Sequence, residues 1–351
     1  MPTLSDEQKT IIKSLLQNKE QEQIQTVGGY AGTGKTTLIS VLIQKLPNWA
    51  VCAFTGKAAN VLRRKGILNA QTIHSTIYRA FEGDDGHIYF DLIHPLDFTK
   101  QGFIVDEGSM VSKELDSDLR SFGLPIIYVG DHGQLEPVGS DFNLMGNPMY
   151  KLETVHRNAG EIAHFAEHLR MGRSPWTFTD RQKVQIGTVH DITNEHLTHT
   201  DQIICAYNKF RVNTNERIRH ALGKKALVEI NERVMCLKNN KRLGIFNGMQ
   251  GTVKALHRGD MLDFESNGQM YYYINYDREQ FGKEKTELKP GFDPPNPFDY
   301  GYCVTCHKSQ GDEWDNILVY EQVCDKWNHK RWAYTAASRA KHSVIWVASR
   351  R

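Results

Sequence analysis

Residues 28–37 read GGYAGTGKTT, and within them Gly29-x-x-x-x-Gly34-Lys35-Thr36 satisfies every fixed position of the P-loop pattern. Each residue type has a physical job. The glycines permit a tight loop whose backbone N–H groups turn inward on a phosphate. Lys35 brings positive charge to the terminal phosphates, and the Thr36 hydroxyl suits a Mg²⁺ ligand. Gly32, Thr33 and Thr37 complete the lining. The flanks agree. Ile24–Val27 is a short β-branched run that predicts a strand, and Lys35–Leu46 is an apolar-rich stretch that predicts a helix ended by Pro47. Strand, loop and helix together set an anion at a helix N-terminus. A glycine turn before an ordinary helix is the plain alternative, and the correct flanks weigh against it.

Outward from the loop, strand-like and helix-like segments alternate through about residue 150. Ala50–Phe54, Gly102–Val105 and Leu124–Val129 read as strands, and Lys57–Lys65 and Ser112–Phe122 as helices. Repeated β-then-α units imply a parallel sheet with crossover helices. Between Thr76 and Thr99 the pattern breaks into two short alternating runs across Glu82-Gly83-Asp84-Asp85-Gly86, which predicts an inserted β-hairpin. The α/β pattern resumes with helices at Gly160–Met171 and Asn208–Leu222 around a strand at Gln202–Ala206. From about 231 to 300 the helical period disappears, and short strands separated by Arg258-Gly259 and Asn267-Gly268 turns predict a small barrel. Ile317–Tyr320, Trp327–Ala340 and Ser343–Val347 then restore a strand–helix–strand run. The expected architecture is therefore α/β, with domain 1 at 1–150 (hairpin at about 76–100), domain 2 at 151–230 plus 301–351, and the barrel at 231–300 inserted in domain 2.

Composition adds bounds. A chain of 351 residues has room for more than one domain, and 24% charged residues indicate a soluble globular protein. No apolar run is long enough to span a bilayer, and the N-terminal MPTLSDEQKTIIKSLL lacks a basic-then-apolar signal layout. A cytoplasmic protein without membrane partners is expected. The six cysteines are scattered and need not pair. Net charge is only +2, so any polyanion site must come from local clustering of Lys and Arg. Cys303-Val304-Thr305-Cys306-His307 has the spacing of a haem attachment site. Without an export signal or a second ligand pair, haem and zinc are both disfavoured.

Two further strand ends carry chemistry. Phe103-Ile104-Val105-Asp106-Glu107 is an apolar strand closing on paired carboxylates, about seventy residues after the P-loop. Asp106 suits Mg²⁺, directly or through water, and Glu107 suits orienting and deprotonating an attacking water. Ile126–Val129 runs into Gly130-Asp131-His132-Gly133-Gln134, where Gln134 can sense a terminal phosphate because an amide both donates and accepts. A plain Gly-rich turn is the competing explanation there.

At this point a family resemblance appears. The succession GGYAGTGKTT, AFTGKAA (53–59), TIHS (72–75), VDEGS (105–109), VGDHGQLEPVG (129–139), VTCHKSQGDEWD (304–315) and YTAASRAK (334–341) resembles the RecD/Dda-like superfamily 1B helicases. It covers essentially the whole chain, and the hairpin and the barrel sit where that branch places its accessory domains. The chain is short for the branch and is most similar to its phage-encoded members. Gly108 and Ser338 depart from the Ala and Thr usual there, both small-for-small.

The resemblance implies two RecA-like domains with ATP and Mg²⁺ in the cleft they form, and a small SH3-like barrel. It implies ATP-driven 5′→3′ travel on single-stranded DNA with unwinding at single–double-strand junctions, in replication, repair or recombination, by a monomer. Gln8, in LSDEQ, matches an adenine-reading position, although Ser5-x-x-Gln8 is also a capping box. Arg157 and Arg339 match the second-domain arginines that reach the nucleotide, and Glu313 a ribose-contacting position. Thr55, Lys57, His74, Ser75, Asn247, Thr305, His307 and Lys308 fall on segments that line a single strand in relatives, though His74 and His307 could equally be structural. Phe81, His87, Tyr89 and Phe90 flank the hairpin turn, as flat side chains able to stack on the last base pair. The rival classes are a translocase or protein-remodelling ATPase that does not unwind, a small-molecule P-loop kinase, and an electron-transfer protein using CVTCH.

Overall fold

The computed structural model describes residues 4–82, 88–135, 142–154, 160–240, 242–266, 268–289, 294–323, 325 and 327–349. The chain divides into two compact units, residues 1–164 and 165–351. The division falls within a helix at Gly160–Arg170.

In the first unit, helix α1 (Asp6–Asn18) precedes β1 (Ile24–Gly29) and α2 (Lys35–Lys45). Then come β2 (Ala50–Ala53), α3 (Gly56–Arg64), β3 (Gln71–Thr72) and the short α4 (Ile73–Ile77). A hairpin of β4 (Tyr78–Glu82) and β5 (Ile88–Leu92) follows, paired antiparallel with Phe81 opposite Tyr89. β6 (Phe103–Asp106), α5 (Lys113–Arg120), β7 (Ile126–Gly130) and β8 (Tyr150–Leu152) complete the unit. The main sheet has the order β3-β2-β6-β7-β1-β8, and every pairing in it is parallel. Its strands β2, β6 and β7 read as nearly unbroken apolar runs because both faces are covered. One face packs Ile104, Ile127 and Val129 against Leu38, Leu42 and Leu62 of the helices. The other packs Phe103, Val105 and Tyr128 against Leu115 and Leu119 of α5.

The second unit takes up the chain from Phe165, within α6 (Gly160–Arg170). Its own sheet contains β9 (Val184–Gly187), β10 (Gln202–Cys205), β16 (Cys303–Thr305), β17 (Trp314–Tyr320) and β18 (Ala340–Val347), in the order β16-β10-β17-β18-β9, all parallel. Helices α7 (Asn194–His199), α8 (Asn208–Ala221) and α9 (His329–Ala337) connect these strands. Between α8 and β16 lies a five-stranded antiparallel sheet of β11 (Arg233–Cys236), β12 (Gln250–His257), β13 (Met261–Ser266), β14 (Gln269–Asn275) and β15 (Phe298–Tyr300), in the order β14-β13-β12-β11-β15. An isolated bridge from Tyr276 to Asn296 joins the end of β14 to the approach to β15.

This inserted sheet shares one core with the parallel sheet. Val234, Phe264 and Phe298 cluster with Ile203, Cys205 and Leu318. Two arginines of α8, Arg211 buried and Arg219 half-buried, reinforce the join. Arg211 pairs with Asp299 and donates to the Lys283 carbonyl at 2.7 Å. Arg219 pairs with Glu232 at 3.1 Å and lies over the Tyr300 ring at 4.3 Å. Cys303 and Cys306 of the CVTCH segment are wholly buried: the Cys303 thiol lies 3.6 Å from that of Cys205, and the Cys306 thiol donates to the Trp332 carbonyl. Among the described residues no helix is long and apolar enough to cross a membrane, and no group of side chains is arranged to hold a metal by itself.

Candidate functional site

Because the first sheet is all parallel, the carboxyl ends of its strands share one edge, where ligand crevices form. At that edge β1 leads into the P-loop, β2 into Thr55, β3 into His74 and Ser75, β6 into Asp106–Glu107, and β7 into Asp131–Gln134. The topology thus gathers into one place segments spread over a hundred residues of sequence.

The P-loop closes on itself before α2. Gly34 caps the helix in the left-handed region, φ 82°, ψ 30°. A Cβ on Gly29 would fall 2.6 Å from Thr33 Oγ1, so only glycine fits there. The Thr33 hydroxyl donates to the Tyr30 carbonyl at 2.8 Å. Lys35 Nζ donates to the Gly29 and Tyr30 carbonyls at 2.8 and 3.0 Å and stands 3.7 Å from the Asp131 carboxylate. Asp131 is 1% exposed and accepts from the Gly133 N–H at 2.9 Å and from Gln134 Nε2 at 3.1 Å. One buried carboxylate therefore aligns the P-loop lysine with the glutamine. Sequence reasoning singled out Gln134 and passed over Asp131, whose position directly after a buried strand was the available signal.

Asp106 and Glu107 leave β6 through a strained turn. Glu107 has φ 56°, ψ 40°, and its N–H donates to Asp106 Oδ1 at 2.9 Å. A left-handed conformation at a residue with a side chain costs on the order of 1 kcal/mol and is concentrated at working sites. Burial raises the Asp106 pKa above the usual carboxylate range, opposed by the Glu107 N–H and by the Lys35 and Lys65 ammoniums. Lys65, which no motif includes, reaches Thr36 Oγ1 at 3.4 Å. The edge thus presents the cations Lys35 and Lys65, suited to a polyphosphate, beside a hydroxyl and a carboxylate suited to a hard cation.

Gln8 makes the capping box with Ser5, accepting from the Ser5 N–H at 3.0 Å while the Ser5 hydroxyl accepts from the Gln8 N–H. Its amide nitrogen also reaches the Thr33 and Gly34 carbonyls, each at 3.3 Å. Both ends of the amide are thus engaged, and α1 is tied to the P-loop. Thr55 caps α3 through the Ala58 N–H at 3.1 Å. His74 is exposed and stacks on Tyr78, with ring centroids 5.5 Å apart. Ser75 is exposed and hydrogen-bonds Thr72.

The second unit separates its assigned residues onto opposite edges of its sheet. Glu313 and Arg339 immediately precede β17 and β18, at the amino edge. Arg339 is 5% exposed and donates to the Thr335 carbonyl (3.0 Å), the Asp312 carbonyl (3.3 Å) and the Ser338 hydroxyl (2.9 Å). Glu313 is exposed, 4.0 Å from Lys341. Thr305 ends β16 instead, and His307 and Lys308 follow at its carboxyl end. Lys308 donates to Asn247 Oδ1 at 2.7 Å, and the pair lines a hollow of about 510 Å³ with Lys238, Asn239 and Thr286. Burial lowers the pKa of His307 and of Lys308, the latter helped by the nearby Arg211 charge. His307 packs edge-on against Trp327.

Phe90 is 47% exposed on β5. Arg157 and His87 lie outside the described residues, as do the side chains of Lys57, Phe81 and Tyr89.

Comparison with known proteins returns two family profiles: the AAA domain over residues 3–194, and the UvrD-like helicase C-terminal domain over residues 300–347. The conjugal transfer protein TraA of Rhizobium radiobacter is 24% identical over 90% of this chain and 30% of its own length. The ATP-dependent RecD2 DNA helicase of Deinococcus radiodurans is 26% identical over 96% of this chain and 48% of its own length. The chain therefore spans half or less of these relatives. The crystal structure of Bacteroides Pif1 bound to single-stranded DNA has the same fold, with a TM-score of 0.63 at 20% identity over 99% of this chain and 93% of that one.

Proposed function

Because the chain belongs to the AAA-domain family, we propose that it is an ATP-dependent DNA helicase that moves 5′→3′ along a single strand and unwinds duplex. The observation that carries the reading is the convergence at one sheet edge of the P-loop, Asp106–Glu107 and the Asp131–Gln134 turn. Support comes from the helicase C-terminal profile over residues 300–347, which contains Thr305, His307, Lys308 and Arg339.

In this reading Lys35 and the P-loop N–H groups bind and orient the ATP phosphates, and Glu107 takes the proton of the attacking water. Thr36 and Asp106 would hold Mg²⁺, which neutralises phosphate charge when bound. Gln134, aligned by Asp131, reports on the terminal phosphate. Gln8 reads the adenine or, through its bonds to Thr33 and Gly34, sets the shape of the loop. Arg157 and Arg339 stabilise the transferring phosphoryl, and Glu313 contacts the ribose. We read both units as RecA-like, the inserted antiparallel sheet as the SH3-like accessory domain, and the hairpin as the wedge that parts the duplex, working as a monomer.

The test is ATPase activity with and without single-stranded DNA, followed by unwinding of duplexes tailed on one end only. Stimulation by single strands with unwinding of 5′-tailed duplex is expected. Stimulation without unwinding would favour a translocase or protein-remodelling ATPase. Absence of stimulation would sink the reading.

The Lys308–Asn247 pair yields a prediction of its own. Hydroxyls, amides and cations at the carboxyl edge of the second sheet suit phosphate contacts, which carry no sequence code. Each phosphate neutralised releases counterions, so affinity falls with salt. Lys308→Gln is expected to reduce the slope of log K against log salt by about 0.7 for single-stranded DNA, equally for all base compositions. Fluorescence anisotropy over a salt series measures it, and an unchanged slope would remove Lys308 from the strand.

A further inference from the structure

We propose that Lys65 is a built-in cation at the metal position of the P-loop site, competing with the incoming divalent ion. The proposal rests on reading that site as one for a Mg²⁺–nucleotide complex.

The placement of Lys65 follows from how α3 ends. Gly66 adopts the left-handed conformation at φ 96°. The Gly66 N–H donates to the Arg63 carbonyl at 3.0 Å, and the Ile67 N–H to the Leu62 carbonyl at 3.1 Å. These two bonds form the tight helix terminus that needs glycine just past the cap. Leu62 and Ile67 are buried in the same core as Leu38 and Leu42 of α2. The end of α3 is therefore held beside the first turn of α2, and Lys65 is the residue at the cap. A cation there is also favoured by the partial negative charge of the helix C-terminus.

From this position Nζ contacts Thr36 Oγ1 at 3.4 Å, and its charge acts on the Asp106 carboxylate together with that of Lys35. These are the two groups assigned to the metal. A single ammonium thus touches one and attracts the other. A divalent ion arriving there must displace it. With polyphosphate present the added negative charge outweighs the repulsion; with none present, Lys65 keeps free metal out. Metal and nucleotide are then expected to enter together.

The test follows binding of a fluorescent ADP analogue over a Mg²⁺ series at low salt, for the parent, Lys65→Gln and Lys65→Arg. Lys65 is exposed, so neither change should disturb folding. Removing one charge a few ångströms from a divalent ion in a solvated site should lower the Mg²⁺ midpoint roughly three- to tenfold for Lys65→Gln. The difference should shrink as salt is raised, and Lys65→Arg should stay near the parent. In parallel, Mn²⁺ binding to the nucleotide-free protein, read by electron paramagnetic resonance, should strengthen in Lys65→Gln. A Mg²⁺ midpoint that is unchanged or raised in Lys65→Gln, while the parent responds to Mg²⁺ normally, would overturn the proposal alone. A parent that binds the analogue without regard to Mg²⁺ would overturn both the proposal and the reading of the site beneath it.

Discussion

Glu107→Gln is expected to leave ATP bound and unhydrolysed. The substitution keeps the shape of the side chain and the left-handed backbone at φ 56°, so the turn after β6 and the bond from the residue 107 N–H to Asp106 Oδ1 should survive. The change is chemical: an amide cannot accept the proton that a carboxylate removes from water. General-base assistance contributes on the order of 10²–10⁴-fold, and kcat should fall by about that factor while nucleotide affinity moves little. Lys35→Ala makes the contrast. It deletes the ammonium that bridges the Gly29 and Tyr30 carbonyls and faces Asp131, so it should weaken binding and turnover together. Single-turnover hydrolysis alongside equilibrium binding separates the two patterns. A Glu107→Gln protein turning over at the parental rate would show that another group takes the proton.

The sequence was most readable where local chemistry and the fold demand the same residues. The P-loop announces itself because glycine, lysine and threonine are each required there, and the helix expected at Lys35–Leu46 is observed at Lys35–Lys45. The alternating runs on either side of the Gly/Asp segment correspond to β4 and β5, which pair antiparallel. Four strands of the inserted sheet carry the same kind of alternating, turn-bounded signal, whereas β15 (Phe298–Tyr300), at the end of a Pro-rich stretch, carries none. Edge strands were not legible. Tyr150–Leu152 and Val184–Gly187 are too short to show a period, and each joins its sheet only by pairing with a distant strand, β1 or β18. The last helix was expected over Trp327–Ala340 but runs from His329, capped by Asn328, to Ala337. Arg339 therefore lies in the turn before β18 and not on the helix. Propensity alone could not place that end, because the Arg339 carbonyl accepts from the Trp314 N–H across the sheet. Buried polar residues such as Arg211 and Asp131 were the hardest to foresee. Their partners, Asp299 and Lys35, are far away in sequence, and only the fold brings them together.

Arg339→Ala is expected to lower kcat on the order of 10³-fold, the lower range for an arginine that stabilises charge on a transferring phosphoryl. The structure makes this variant ambiguous unless its stability is measured too. In its own unit the guanidinium satisfies two buried carbonyls and a hydroxyl. Deleting it strands those acceptors at a cost of about 1–3 kcal/mol for an unsatisfied buried group. Loss of activity could then reflect a smaller folded fraction. Two comparisons remove that ambiguity. Rates are normalised to folded protein, by thermal melts with and without nucleotide. Arg339→Lys is tested in parallel: it keeps the charge but not the planar fork that binds oxygen pairs. If Arg339 acts on the phosphoryl, Arg339→Lys should recover little of kcat even where it recovers stability, and nucleotide affinity should change far less than turnover in both variants. If affinity and stability fall while kcat per folded molecule is kept, Arg339 only braces the segment between Asp312 and β18. The nucleotide assignment of the second unit's amino edge would then fall with it.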